Sequence, residues 1–340
     1  MIGMLHNRKN PSLVSRAYLY SAIAKLEGAE LFYFTPGEVN LKNKTINGLY
    51  YHQGKWLNKR FPFPDVVINS VSFSLSWQKQ IENALKKTIP FTSYPVGSKN
   101  FVYEKLKKSS ELKKHVIPYQ LLNKKEDLIS FLNTHSEVIV KPTRSHHGNN
   151  VVKIAKVGKR YLLTKDRETK ELSEKELGDL VFTTDFKQLV QKYISSKLPT
   201  GEPFDFRIHL QKNRKGIWTV TYIVPRIGNK KAVITNLSQG SQMIKYDVFM
   251  DLYFGPKSNE LQNKINDFAS SFGDLFDSLY PYKFDELGVD VGLDENHNIW
   301  IYEVNWRPGH VFIEVFTGFN TVNYAIFLAT QKLLSERKNK

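Results

Sequence analysis

The chain contains no cysteine, which removes disulfides, thiolate nucleophiles and cysteine-based zinc sites from the chemistries open to it. No apolar run reaches the roughly 18 residues that a membrane-spanning helix needs, so no transmembrane segment and no membrane partner are expected. The start, Met1-Ile-Gly-Met-Leu-His-Asn-Arg-Lys, has too short an apolar part for a signal peptide and reads as a first strand. A cytoplasmic protein is the expectation. Two phosphate-binding loops are also missing. After the first strand stands His6-Asn7-Arg8-Lys9-Asn10, not a dinucleotide fingerprint, and no Gly-Lys-Ser/Thr occurs anywhere. Acids are scarce beside bases, 33 against 49, for a net charge of +16. That excess favours anionic partners: nucleotide phosphates, an acidic substrate or nucleic acid. The charge is spread along the chain, with short clusters only at Lys105–Lys108 and Lys113-Lys114, as a solvated basic surface would also be. Nucleic acid therefore rests on net charge alone.

What is present is a foldable chain. Its 340 residues, 41% apolar and 13% aromatic, suffice for two or three ordinary cores. Residues 1 to 98 read as an α/β unit. Ile2–Leu5, Glu30–Phe34 and Val66–Asn69 are strands, Ser12–Leu26 and Trp77–Lys86 helices, and Val39–Trp56 a hairpin with turn signals at Asn43-Lys44 and Gln53-Gly54. Alternating strands and helices imply a parallel or mixed sheet. A second unit spans 99 to 190. It holds a basic helix Asn100–Leu112, a strand Val116–Leu121, a helix Glu126–Leu132 and a strand that ends on Lys141-Pro142. The polar loop after it, carrying Ser145, His146, His147 and Gly148, leads to another strand, Val151–Ile154. A lysine at a strand end before such a loop can put an ammonium and several backbone N–H groups on phosphates, although a basic turn looks the same. Adjacent histidines on a strand point to opposite faces and make a poor metal pair.

The third unit, 191 to 340, opens on the end of a strand at 187–194 and continues with Phe204-Asp-Phe-Arg-Ile-His-Leu-Gln211. Phe204, Phe206, Ile208 and Leu210 alternate with a polar stripe of Asp205, Arg207 and His209. Its partner is Ile217–Val224, ending at Pro225-Arg226, and the polar turn Asn236–Gly240 follows. Asn259–Tyr280 and Asn320–Glu336 read as helices. Between those helices lies the most informative stretch, Leu287–Gly309, read as two strands around the turn Asp294–Asn298. With that turn centred between Asn296 and His297, Asp290 faces Glu303 and Asn305 shares their face. Opposed residues have Cβ atoms about 4.5–5.5 Å apart, and two bare carboxylates that close repel, so something positive is required between them. A hard cation suits the oxygens of Asp290, Glu303 and Asn305. A solvated hairpin edge and a retaining-glycosidase pair, whose carboxyls stand about 5 Å apart, remain open at this point.

Taken in order, these pieces resemble the ATP-grasp superfamily, and over nearly the whole length the YheC/YheD group of endospore coat-associated proteins. The resemblance rests on Lys105 in an early helix, the strand end at Lys141-Pro142, the hinge strand Gln191-Lys-Tyr-Ile194, the Asp205-x-Arg207 strand and the closing Gly288-Val-Asp290 with Glu303-Val-Asn305-x-x-Pro308-Gly309. Phe61–Val66, Ile217-Trp218-Thr-Val running to Arg226, and Asn236-Leu237 carry it to the group. It implies a fold of mixed α/β and α+β type, an N-terminal pre-ATP-grasp α/β domain followed by a two-subdomain ATP-grasp fold. It also implies an ATP- and Mg²⁺-dependent carboxylate–amine ligase that works through an acyl phosphate. Lys105, Lys141, Ser145 and Gly148 would meet the phosphates, with Gln191, Lys192, Tyr193 and Ile194 beside the adenine and Asp205 also at the nucleotide. Asp290, Glu303 and Asn305 would hold two Mg²⁺, with Mn²⁺ as a substitute. Arg207, Arg226 and Asn236 would steady the carboxylate or the transferred phosphoryl. The partners implied are ATP, a carboxylate substrate and an amine acceptor, an amino acid or peptide of acidic character. A non-catalytic nucleotide-binding scaffold of the spore coat is the alternative. Family loops after Lys-Pro usually carry several glycines. Here Ser145 and Asn150 replace two of them, and asparagine tolerates the left-handed backbone that glycine supplies.

Overall fold

A computed structural model describes residues 1–69, 71–143, 150–165, 168–182, 187–230, 242–309 and 314–338. Three sheets organise these residues. The first contains β1 (Ile2–Leu5), β2 (Leu31–Phe34), β3 (Val39–Asn40), β4 (Thr45–His52), β5 (Lys55–Pro62) and β6 (Val66–Asn69). β1 runs parallel to β2 on one side and to β6 on the other, while β3, β4 and β5 pair antiparallel, so the sheet is mixed. β4 and β5 join through Gln53 (φ 45°) and Gly54 (φ 82°), the positive-φ pair that a tight hairpin turn demands. Helix α1 (Ser15–Leu26) connects β1 to β2, and α2 (Ser76–Lys86) follows β6. Strand order reverses at β1, because the chain leaves it toward β2 and comes back to its other side as β6. In such sheets the crevice beyond the carboxyl ends of the strands is where ligands are received.

The second sheet is antiparallel, in the order β11-β10-β9-β8-β12-β7. Its strands are β7 (Tyr119–Leu122), β8 (Glu137–Pro142), β9 (Val152–Val157), β10 (Arg160–Lys165), β11 (Glu168–Leu172) and β12 (Gln188–Lys192). Helix α3 (Lys99–Lys107) precedes it, and α4 (Lys125–Thr134) and α5 (Glu174–Phe182) pack on it through Leu128, Leu132, Leu177 and Val181. Asn150 has φ 59°, a left-handed backbone of the kind asparagine tolerates.

The third sheet, β15-β14-β13-β16-β17, is antiparallel throughout. It is built from β13 (Phe204–Lys212), β14 (Trp218–Ile227), β15 (Gln242–Met243), β16 (Glu286–Leu293) and β17 (Ile299–Asn305), with α6 (Tyr246–Phe254) and α7 (Ser258–Asp277) between β15 and β16. One face is apolar: Phe206, Ile208, Leu210, Leu287, Val289, Val291 and Ile301 bury against Phe249, Ile265, Phe272 and Phe276 of the helices. The final helix α8 (Glu314–Lys338) returns to the first sheet and places Val322 and Ala325 in its core. No helix among the described residues is long and apolar enough to cross a membrane.

Candidate active site

The opposite face of the third sheet is polar, and strand alternation makes it so. With Phe206, Ile208 and Leu210 turned to the helices, Asp205, Arg207 and His209 of β13 must face the other way. Pairing then lines them up across the sheet. Arg207 lies opposite Asp290, and Asp290 opposite Glu303; one row on, His209, Gly288 and Asn305 are in register. Asp205 stands opposite Arg226 of β14.

The expected pairing of Asp290 with Glu303 is present, but the route to it differs. Near the turn, Leu293 pairs with Ile299 and Val291 with Ile301, a hairpin centred on Asn296 itself. Continued unchanged, that register would have set Asp290 opposite Tyr302 and turned Glu303 away. A β-bulge between Asp290 and Val291 takes up one extra residue of β17, Tyr302, and restores the pairing. The Tyr302 ring lies across Gly292, where an added Cβ would sit 2.0 Å from its hydroxyl. Its carbonyl accepts a hydrogen bond from the Tyr103 hydroxyl at 2.5 Å and from Lys141 Nζ at 3.3 Å. The bulge therefore does two things: it sets the acids opposite each other, and it gives the lysine of the second sheet an anchor on the third.

The positive charge that the facing acids call for is supplied by side chains. Arg207 grips Asp290 with both arms, its Nη2 donating to Oδ2 at 2.9 Å. Arg226 donates to Asp205 through Nε (2.7 Å) and Nη2 (2.5 Å), and Nη2 also lies 3.1 Å from Asp290. The result is a buried chain, Asp205–Arg226–Asp290–Arg207, in which charges alternate. Burial alone would push the Asp290 carboxyl up, but the two guanidinium groups outweigh it and hold the group below the usual carboxylate range. Asp205 and Arg207 each bind across to a neighbouring strand, Asp205 to Arg226 and Arg207 to Asp290.

Glu303 pairs with Lys99 Nζ at 2.8 Å. Lys141 is buried, and its Nζ donates to the Tyr103 hydroxyl at 3.0 Å. Desolvation lowers its pKa to about 8, against the pull of Glu303 and Asp290. Two ammonium groups thus reach the acidic face, from β8 and from α3. The one from α3 is not Lys105. Lys99 and Tyr103 lie one helical turn apart on the face toward β17, and Lys105 lies on another. Lys105 donates instead to the Leu279 carbonyl at 2.7 Å, with its ammonium over the rings of Tyr280 and Phe101. Lys99 carried no signal of its own in the sequence, standing in a lysine-rich helix where only the register could tell one from another.

Of the hinge residues, Gln191 is buried beside Tyr103, and Ile194 is buried too. The backbone N–H groups of Lys192 and Tyr193 donate to the carbonyls of Pro118 and Glu137, at 2.9 and 3.0 Å, so they are already engaged in the sheet. Ser145, Gly148 and Asn236, with Gly240, lie outside the described residues. The donor set Asp290, Glu303 and Asn305 consists of oxygen ligands on one face, which fits a hard cation such as Mg²⁺. Among the described residues no group of three His, Cys, Asp or Glu side chains that could hold a metal ion occurs, and Asn305 is the amide that shares the face of the two acids.

Comparison with known proteins agrees with this geometry. Residues 88–322 match the family model described as YheC/D-like ATP-grasp. The chain is 24% identical, over 94% of its length and 76% of the relative's, to "Endospore coat-associated protein YheD" of Bacillus subtilis (strain 168). Among solved structures it superimposes on D-alanyl-alanine synthetase A from Vibrio cholerae O1 biovar eltor str. N16961 with a TM-score of 0.55, 11% identity and 98% of each chain covered. It also superimposes on a Chryseobacterium gregarium RiPP-associated ATP-grasp ligase in complex with ADP and a leader and core peptide. There the TM-score is 0.51, with 12% identity and 96% of each chain covered. The fold is that of ATP-grasp ligases.

Proposed function

Because the chain belongs to the YheC/D-like ATP-grasp family, we propose that it is an ATP- and Mg²⁺-dependent ligase joining a carboxylate to an amine through an acyl phosphate. One observation carries this reading: Asp290 and Glu303 face each other where Lys141 and Lys99 arrive from the opposing elements. Phosphoryl transfer needs positioning and charge neutralisation more than a covalent catalyst, and this face offers both without a nucleophilic side chain. The carboxylate oxygen of the substrate takes the γ-phosphoryl of ATP, ADP leaves, and the amine nitrogen then attacks the acyl carbon and expels phosphate. Lys141 and Lys99 neutralise phosphate oxygens, and the strand end Gln191–Ile194 borders the adenine. Arg207 steadies the reacting carboxylate. Arg226, which like Arg207 spends its Nε and Nη2 on a carboxylate, is the second candidate for steadying the carboxylate or the transferred phosphoryl, and it also positions Asp290. Glu303 and Asn305 would hold Mg²⁺ with Asp290 beside them, and when bound the ion supplies charge neutralisation to the transferring group; the expected second ion and substitution by Mn²⁺ belong to the same proposal.

The expected divisions at 98/99 and 190/191 enter the proposal as a division of labour, with the first unit receiving substrate and the other two closing on nucleotide. The substrates we propose are amino acids or peptides, in line with the peptide held by the RiPP-associated ligase, and the protein works in the cytoplasm in association with the spore. The test is ADP release over panels of amino acids and short peptides. Tight ATP binding with neither ADP nor acyl phosphate from any acceptor would sink the ligase reading. A second reading, a nucleotide-binding coat scaffold, is favoured by the two arginines already engaging the oxygens of Asp290. Glu303→Gln separates the two: a ligase loses roughly 10²–10³-fold in ADP release, whereas a scaffold assembles unchanged.

A further inference from the structure

The two facing acids are neutralised by different kinds of cation. Asp290, its side chain 11% exposed, is gripped by both arms of Arg207 and lies 3.1 Å from Arg226 Nη2. A guanidinium is a rigid fork that matches both oxygens of a carboxylate, so shape as well as charge fixes this pairing. Glu303 is held differently. A single oxygen, Oε1, meets Lys99 Nζ at 2.8 Å, and the Glu303 side chain keeps 30% of its surface exposed. An ammonium is a compact point charge on a flexible four-carbon stem, and an ion pair that water reaches is worth little. One acid of the face thus carries a built-in clamp, and the other a cation that can be exchanged.

Helix α3 does not depend on that contact for its place. Lys99 is its first residue, behind a Ser98 cap whose hydroxyl accepts the Phe101 N–H at 3.4 Å. The Lys99 backbone N–H donates to the Thr143 carbonyl at 3.2 Å, just past Lys141-Pro142 of β8. One turn on, the Tyr103 hydroxyl accepts from Lys141 Nζ at 3.0 Å and donates to the Tyr302 carbonyl, while Val102, Tyr103 and Leu106 are buried. α3 and β8 are therefore joined as one platform, which presents two ammonium groups to consecutive residues of β17, Tyr302 and Glu303. The Lys99 side chain can turn from one anion to another while its backbone stays in place. Glu303 is also one of the Mg²⁺ donors of the proposed reaction, and an ammonium and a divalent cation repel each other over the same oxygens.

We propose that Lys99 is a tethered competitor of the metal, withholding Glu303 from a divalent cation until a nucleotide offers its ammonium phosphate oxygens instead. Nucleotide and metal then load together, each easing the entry of the other, and a divalent cation without nucleotide binds weakly. The role is one of positioning: an ion pair is exchanged and no covalent bond forms or breaks. It rests on the reading of Glu303 as a metal donor and of Lys99 as a phosphate contact, and adds the coupling between them.

The test is electron paramagnetic resonance of free Mn²⁺ titrated against the full chain without nucleotide, together with ADP binding in EDTA. Lys99→Met should bind Mn²⁺ about tenfold more tightly than wild type, and ADP about tenfold more weakly. Lys99→Arg keeps a cation against Glu303, so its Mn²⁺ affinity should stay at or below that of wild type. Lys105→Met removes the same charge from the same helix away from the acids and should change either affinity by no more than about twofold. Lys99→Gln repeats the measurement if the methionine variant does not fold. Mn²⁺ affinity unchanged or lowered in the folded Lys99 variants, yet lost in Glu303→Gln, would overturn the competition and keep the metal reading. An equal gain in Lys105→Met, or ADP affinity unchanged in Lys99→Met, would also overturn it. No Mn²⁺ bound by any form, with or without ADP, would remove the metal reading and the inference together.

Discussion

On the polar face of the third sheet, the acids and bases of the candidate site stand in matched pairs: Asp205 with Arg226, Arg226 with Asp290, Asp290 with Arg207, Glu303 with Lys99. At the mouth of β1 and β6, a short walk along the same chain, Arg8, Arg16 and Arg307 make no ion pair with any described carboxylate. Matching and excess have different consequences. A chain of alternating buried charges is complete when folded and holds its members at fixed positions, as a site for positioning a phosphoryl group should. The arginines at the mouth are balanced only at longer range, Arg307 by Asp285, Glu82 and Glu286, so no direct ion pair fixes where they stand.

Breaking the matched chain should produce the largest effect. Asp290→Ala leaves two buried guanidinium groups without their shared anion and should cost about 3–5 kcal/mol in urea unfolding, besides abolishing ADP release. Asp290→Asn keeps the shape and loses only the charge, so it isolates the electrostatic part. Next comes the border between the two places. Asp285 is buried, and burial followed by the neighbouring Glu286 raises its pKa to about 7. A carboxyl raised in the native state favours folding while protonated, so this contribution is full below about pH 4 and is lost as pH climbs to about 7. Asp285→Asn should therefore gain stability over wild type through that window, by up to about 1.4 kcal/mol per pH unit. His6 runs the other way. Its pKa is lowered, so its contribution is present above about pH 6.5 and is lost as pH falls toward 4, and His6→Gln should flatten that acid limb. Parallel slopes for wild type and variants in pH-dependent unfolding would overturn both assignments.

Smaller effects sharpen the contrast. Gly292→Ala forces its methyl into the Tyr302 hydroxyl and should cost about 1–3 kcal/mol. ADP release should fall with it, since the bulge that sets the acids opposite each other would shift. The smallest effects come from the two lysines of α3. Lys99→Gln should raise the KM for ATP by about tenfold, the value of one charge-assisted contact. Lys105→Gln, which loses only a carbonyl and two rings, should leave KM unchanged and cost about 0.5–1 kcal/mol of stability.

Much of this was legible in the residue order, for reasons that also explain the gaps. Phe204–Gln211 announces a strand with one wet face, and the acids of Leu287–Asn305 announce a facing pair, because a period of two projects directly onto a sheet. The hairpin shows how a correct contact can follow from an incorrect register. Centring the turn one half-residue late and omitting the bulge are errors of opposite sign, and they cancel at Asp290. Residues 160–182 gave no expectation. Glu168–Leu172 is exposed along nearly its whole length, so that edge strand carries no apolar alternation to read. Tyr246–Phe254 is apolar on most sides, and no face could be assigned to it as a helix. On α3, Phe101, Val102, Tyr103 and Leu106 spread apolar residues around the helix, so the residue order does not show that Lys99 turns toward Glu303 and Lys105 toward the Leu279 carbonyl. The basic crevice was beyond reach. His6-Asn7-Arg8 was visible as a loop lacking glycine, but its meeting with Arg307 depends on folding together the two ends of the chain.

The bulge at Tyr302 has a practical side. Beyond it, Asp294 ties the hairpin tip to itself through the amides of Asn296 and Asn298 and the indole of Trp300, so the tip is a self-contained cap. Its phase along the strand is uncoupled from that of Asp290 and Glu303. A chain without cysteine accepts a single introduced thiol with no competitor, and Glu295 on that tip is an exposed position at which to place one. Glu295→Cys would carry a fluorophore on the third sheet without touching Asp290 or Glu303.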